Sequence, residues 1–103
     1  MKIPDEFKVI FGRFGQHVRY CYDSIEDAAV WVVVGLKLNE NVAAKAYFDD
    51  LTSGKYTEEE LSNLWLYSGA EVGVRKNQTM LGFLTYFRGL MNADHSKSLP
   101  PLR

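Results

Sequence analysis

The sequence predicts an all-α protein, a single compact bundle of about five helices with a frayed C-terminal tail. Three observations carry this reading. Apolar residues recur at helical spacing in most segments. Several of those segments open on strong capping signals. No convincing partner strand accompanies the one stretch with strand-like composition. At 103 residues the chain makes one domain, read as residues 1–92 with a disordered tail at 93–103. A hydrophobic content of 47% and an aromatic content of 14% suit a folded globule rather than a disordered segment.

The first segment runs from Pro4 to about Tyr20. Phe7, Ile10, Phe11, Phe14 and Val18 fall on one helical face. Pro4 suits a first turn, where its missing N–H needs no partner. Gly12 and Gly15 each weaken a helix by up to ~1 kcal/mol relative to alanine, which predicts an interruption near Gly15. Asp23 or Ser24 caps the second segment, with Glu26 and Asp27 in its first turn. The run Ala28-Ala29-Val30-Trp31-Val32-Val33-Val34 is ambiguous. Its valines favour a strand, whereas its cap and unbroken length favour a buried helix. Helix is preferred for want of a partner strand.

The third segment starts at Asn39 to Asn41, takes Val42, Ala46, Phe48 and Leu51 as its apolar positions, and stops at Gly54. The fourth is the most completely specified. Thr57 is a good N-cap, and Glu60 stands three residues on, the capping-box spacing. Tyr56 and Leu61 are placed to close a hydrophobic staple. Glu58 and Glu59 put negative charge on the first turn, where the helix dipole favours it. This helix spans Glu58 to about Tyr67, buries Leu61, Leu64 and Trp65, and is followed by a C-terminal cap candidate, Gly69. Residues 70–77 read as an irregular connection. The fifth helix runs from about Gln78 to Met91, with Met80, Leu81, Leu84, Phe87, Leu90 and Met91 mostly on one face. From Asn92 onward, with Pro100-Pro101, the chain reads as a tail.

Formal net charge is −1, so no global field attracts nucleic acid. The charges are nonetheless uneven. Residues 21–60 carry nine acidic and three basic groups, for −6, while the flanking segments carry +2 and +3. The plain reading is a set of solvated helix faces; the sharper one is an acidic surface for a basic partner. Cys21 is the single cysteine, which fits a reducing compartment. The start Met1-Lys2-Ile3-Pro4-Asp5-Glu6 turns acidic before any apolar run, unlike a signal peptide. The apolar run Ala28–Leu36 is about half the length of a membrane span. A cytoplasmic protein is expected.

Candidate chemistry is sparse. His17 and Cys21 are four apart and share a helix face, but no cluster completes a metal site, and His95 is remote in sequence. With Asp23 they could be arranged as a nucleophilic trio, yet nothing supplies an oxyanion hole. Cys21, inside Tyr20-Cys21-Tyr22, reads as a semi-buried structural thiol. Asp49-Asp50 and Glu58-Glu59 are adjacent pairs whose members point in different directions, which suits solvation or partner binding more than acid–base work. Gly12-Arg13-Phe14-Gly15 lacks the ending and the preceding strand of a phosphate loop. Arg75, Lys76 and Arg88, with Tyr86, make a weak basic patch. Tyr20, Tyr22, Tyr47, Tyr56, Tyr67 and Tyr86 combine apolar area with a polar tip and are candidates for an interface or for the rim of the core.

A family resemblance emerges from the order of these features. An aromatic N-terminal helix is followed by Tyr22-Asp23-Ser24-Ile25-Glu26-Asp27-Ala28 and by a helix ending in Asp49-Asp50-Leu51. Next come Gly54-Lys55-Tyr56-Thr57-Glu58-Glu59-Glu60-Leu61 and Leu64-Trp65, then Ser68-Gly69-Ala70-Glu71-Val72-Gly73. A last helix carries Phe83-Leu84 and Phe87-Arg88-Gly89-Leu90. Over residues 7–91 this resembles the small helical immunity proteins of bacterial contact-dependent growth inhibition systems. Where that family carries an aromatic-His-Gln-Asp stretch near the end of the first helix, this chain reads Phe14-Gly15-Gln16-His17-Val18-Arg19, without the acidic residue.

The resemblance implies a protein that binds and neutralises the C-terminal toxin domain of a secreted adhesin, in a 1:1 complex, with no catalysis, cofactor, metal, nucleic acid or membrane of its own. Such toxins are often nucleases with basic clefts. The expected mating surface is then Asp23, Glu26, Asp27, Asp49, Asp50, Glu58 and Glu59, with Tyr22 and Tyr56 beside them; carboxylates opposite basic groups speed encounter and reject wrong partners. The alternative is a small helical adaptor or antitoxin-like regulator that binds another protein or a nucleic acid. A small hydrolase using His17 and Cys21 is the third reading.

Overall fold

Helix α1 (Asp5–Gly12) opens the fold of this computed structural model, which describes residues 5–70, 72–74 and 77–102. Pro4 and the basic pair Arg75-Lys76 lie outside the described residues. The helix breaks close to the expected place. Residues 13–17 form turns closed by short-range bonds, Arg13 N–H to the Ile10 carbonyl at 3.3 Å and Phe14 N–H to that of Phe11 at 3.0 Å. One further turn, α2 (Val18–Cys21), completes the segment. The break leaves Phe7, Ile10, Phe11, Phe14 and Val18 all buried, as the spacing predicts. It also raises the number of helices among the described residues to six, and no strand occurs among them.

Helix α3 (Ile25–Val34) resolves the ambiguous valine run. Ser24 is its N-cap, with Oγ accepting from Asp27 N–H at 3.1 Å. Ile25, Ala28, Ala29, Val30, Val32 and Val33 are buried over more than half of the helix surface, and Trp31 and Val34 are half-buried. This wide burial overrides the strand preference of valine, because the favourable term is apolar area removed from water rather than local propensity.

Helix α4 (Leu38–Leu51) starts a residue earlier than Asn39, since the Lys37 N–H is satisfied by the Glu40 carboxylate at 2.9 Å. Its inward face is Ala44, Phe48 and Leu51. Val42 and Ala46, expected to be core positions, instead face solvent, with Val42 61% exposed. The reason is register. Residues 44, 48 and 51 line one face, while Leu38, Val42 and Ala46 form a second apolar line on the outside. The helix ends at Leu51, before Gly54, where the Thr52 hydroxyl and N–H both donate to the Phe48 carbonyl. Gly54 serves the following turn with a φ of 96°, a left-handed conformation that favours glycine.

Helix α5 (Glu58–Tyr67) matches its sequence signals. Thr57 Oγ1 accepts from Glu60 N–H at 3.1 Å and Glu60 Oε1 accepts from Thr57 N–H at 2.9 Å, a complete capping box. Gly69 follows with a φ of 100°. Helix α6 (Met80–Leu90) begins after a cap the sequence reading missed, Thr79, whose Oγ1 accepts from Gly82 N–H at 2.9 Å. Its buried face holds Met80, Phe83, Leu84, Phe87 and Leu90; Leu81, assigned to that face, is partly exposed.

Helix α6 is the hub, packing against α3, α4 and α5. The first segment joins them through rings. Phe11 and Phe14 lie 4.9 and 4.8 Å from Trp65 between ring centroids, Trp65 lies 5.4 Å from Phe83, and Phe48 stacks on Phe87 at 4.8 Å. The Trp65 indole N–H donates to the Val72 carbonyl at 2.7 Å, tying the connection after α5 to the core. The stretch after α6, expected to fray, folds back. His95 Nε2 donates to the Leu90 carbonyl at 2.9 Å, Leu99 packs on the core, and the Trp31 indole N–H donates to the Pro100 carbonyl at 3.0 Å. A half-buried indole with no local acceptor provides the physical reason.

Trp65→Phe keeps a ring in the core but removes the donor to Val72 and part of the volume. Urea unfolding is expected to show a loss of about 1–3 kcal/mol. A loss below about 0.5 kcal/mol would mean that the connection after α5 is held by something else.

Candidate protein-binding surface

The nine residues expected at an interface fall into three groups. The first is the corner between α4 and α5. Asp50 accepts from the Tyr56 hydroxyl at 2.8 Å and pairs with the Lys55 ammonium at 2.5 Å. That ammonium also sits 5.3 Å from the centre of the Tyr56 ring. The loop is therefore closed by its own side chains. Tyr56 packs against the core from the position before the cap, as the staple expectation requires of it. Asp49 faces outward and pairs with Arg88 of α6 at 2.7 Å. Glu59 is exposed.

Charge and burial set the titration of this corner. The Lys55 ammonium, then the Tyr56 hydroxyl, hold the Asp50 carboxyl below its ordinary value. The same contact with Asp50 raises Lys55 and Tyr56. Burial, helped by Tyr56 and Asp50, pushes Tyr47 up to about 12. Asp50 therefore stabilises the fold above its unfolded pKa, and that contribution disappears as pH falls through the folded value. Lys55 and Tyr47 act in the opposite direction, their contributions being present below their unfolded values and lost as pH rises through the folded ones.

The second group surrounds the start of α6. Glu58, in the first turn of α5, accepts from the Met80 N–H, and its other oxygen accepts from Leu81 N–H at 3.3 Å. With Thr79 taking Gly82, each of the first three amides of α6 has a partner, and the carboxylate meets the positive end of the helix dipole. Glu26, at the start of α3, accepts from the Gln78 side-chain amide. Glu26 and Tyr86 line one cleft with Gln78, Thr79, Gly82 and Phe83. Burial first, then the charges of Glu26 and Asp27, raise Tyr86 above its ordinary value.

The third group is the junction of α2 and α3. Half-buried Tyr22 and exposed Asp23 line a shallow cleft with Val18, Arg19, Ser24, Ile25, Val72 and Gly73. Nearby, His17 is exposed at the start of α2 and Cys21 is half-buried at its end, with the Cys21 N–H donating to the His17 carbonyl. Among the described residues, no three His, Cys, Asp or Glu side chains converge on a metal-sized site, and no helix is long and apolar enough to cross a membrane.

The carboxylates thus differ in kind. Glu58 is committed to the start of α6 and Glu26 to Gln78. Asp49 and Asp50 are held in exposed ion pairs, which cost little to exchange for a partner's cation. Sequence composition marks Tyr20 and Tyr67 as interface candidates, but not the aliphatic groups that the structure leaves in water with them. Tyr20, Leu38, Val42, Leu66 and Tyr67 are all more than half exposed. One signal for Leu66 and Tyr67 was present. Leu64-Trp65-Leu66-Tyr67 is four apolar residues in a row, and successive helical positions 100° apart cannot all face inward.

No family model, curated protein or solved structure matches this chain.

Two variants separate the roles of adjacent glutamates. Glu58→Ala should lower stability by about 1–2 kcal/mol, the scale of a lost helix cap, whereas Glu59→Ala should stay within about 0.5 kcal/mol of the parent. Carboxyl titration followed by NMR should place Asp50 below the ordinary carboxylate range. In Lys55→Ala it should move upward; an unchanged Asp50 midpoint there would disprove the ion pair in solution.

Proposed function

We propose that this chain is an immunity protein. It binds a basic toxin domain of the contact-dependent growth inhibition type in the cytoplasm, 1:1, and neutralises it by covering its active site or a surface beside it. It performs no reaction of its own. The resemblance in the order of helices and motifs suggests the class. The observation that carries the reading is the acidic corner between α4 and α5. Residues 49–60 hold five carboxylates against one lysine, for −4, and none of the five is buried. The corner is braced by the Asp50–Lys55–Tyr56 contacts and the capping box. Braced carboxylates lose little freedom on binding and accelerate encounter with a cationic surface.

The experiment is co-expression with the toxin domain encoded immediately upstream. The two should co-purify, and equimolar immunity protein should abolish the toxin's activity. Asp49→Asn, Asp50→Asn and Glu59→Gln together keep side-chain size while removing three charges and the ion pairs to Arg88 and Lys55. Association measured by stopped flow should slow about tenfold at low salt and lose much of its salt dependence. A triple variant that associates as fast as the parent, with the same salt dependence, would show that the corner does not steer the partner.

A further inference from the structure

Helix α5 presents two faces of different character. Leu61, Leu64, Trp65 and Ser68 are buried against the core. At about 100° per residue, Glu59, Asn63, Leu66 and Tyr67 lie within about 70° of the opposite direction. All four are exposed, Tyr67 at 81% and Leu66 at 56%. The ridge is about 12 Å long, at 1.5 Å per residue from Glu59 to Tyr67. Its acidic end is continuous with the corner at Asp49 to Glu60, and its apolar end closes the helix.

Both ends are rigidly held. The capping box fixes the start. At the finish, the Ser68 hydroxyl and N–H both donate to the Leu64 carbonyl, and Gly69 adopts φ 100° with its Cα region close to Gly12. Trp65, immediately before Leu66, is clamped by its rings and by Val72. Leu66 and Tyr67 are thus aimed outward from a helix that does not need them for its own burial.

We propose that this ridge is the docking edge of the protein, with Leu66 and Tyr67 as the apolar anchors and Glu59 as its charged end. The occupant is a protein surface that carries an apolar pocket bordered by lysine or arginine. Charge complementarity selects it, because Glu59 at the far end of the same ridge, about 10 Å from Leu66, and the acidic corner beyond it repel the phosphates of nucleic acid and of anionic lipid. An aromatic and an aliphatic anchor on consecutive positions of one exposed helix face fit the pattern in which a few residues carry most of the binding energy. The second exposed apolar line, Leu38, Val42 and Ala46 on α4, runs on to Asp50, whose two oxygens are already held by Lys55 and Tyr56, whereas Glu59 on the α5 ridge is exposed. The inference rests on the immunity reading and specifies which surface performs it.

The test is isothermal titration of the intact protein with the purified toxin domain encoded upstream. Leu66→Ala and Tyr67→Ala are each expected to weaken binding about 30-fold or more, with Tyr67→Phe close to the parent. Leu38→Ala with Val42→Ala, on the other apolar line, should change binding less than threefold. Thermal melts of all variants should coincide with the parent, because neither pair supports the core. If the Leu66→Ala, Tyr67→Ala double variant binds within threefold of a tightly binding parent, the ridge is not the docking edge and the immunity reading stands. If the parent itself neither binds nor inhibits the toxin, the immunity reading fails and the inference goes with it.

Discussion

Phe14 sits in a turn rather than a helix, yet it has no exposed surface, and its ring touches Trp65, Phe83 and Phe87. That contact set is the constraint on which the bundle depends. Trp65 belongs to α5, Phe83 and Phe87 to α6, and Phe48, stacked on Phe87, to α4. Edge-to-face and tilted rings at these separations contribute about 0.5–1.5 kcal/mol per pair beyond their apolar burial. A chain of this size has room for one core only, and ring packing concentrates it on a few large side chains. The break after Gly12 then has a structural use, since it lets the chain change direction where the Phe14 ring enters the cluster.

The parts legible in the sequence are those whose signals are local. Thr57, Glu60 and Gly69 define α5 from its own residues, and the structure keeps each device in place. Ser24 does the same for α3, while the valines that follow needed tertiary burial to decide between helix and strand. Helix α4 was misread for the opposite reason. Its apolar residues form two lines, 44-48-51 and 38-42-46, and spacing alone cannot say which faces the core. The tail could not be read at all, because its anchor is an indole 69 residues away.

The candidate site divides along the same boundary. The acidic excess between residues 21 and 60 is a property of composition and was visible at once. Which carboxylates remain available to a partner is a property of tertiary contact. Glu58 and Glu59 look equivalent as letters, but one accepts from two amides of another helix and the other points into solvent. Tyr67 stood among the candidate tyrosines, but Leu66 was masked by its neighbours: Leu64 and Trp65 take the core positions, and Leu66 and Tyr67 fall outside because a helix turns.

The reach of Glu58 from the first turn of α5 to the first turn of α6 has a dynamic consequence. The leading amides of α6 can exchange with solvent only when that carboxylate lets go, so the beginnings of both helices belong to one opening unit. Loosening the first turn of α5 therefore loosens the central helix as well, and stiffening it quiets both, so the rim and the interior share one fluctuation.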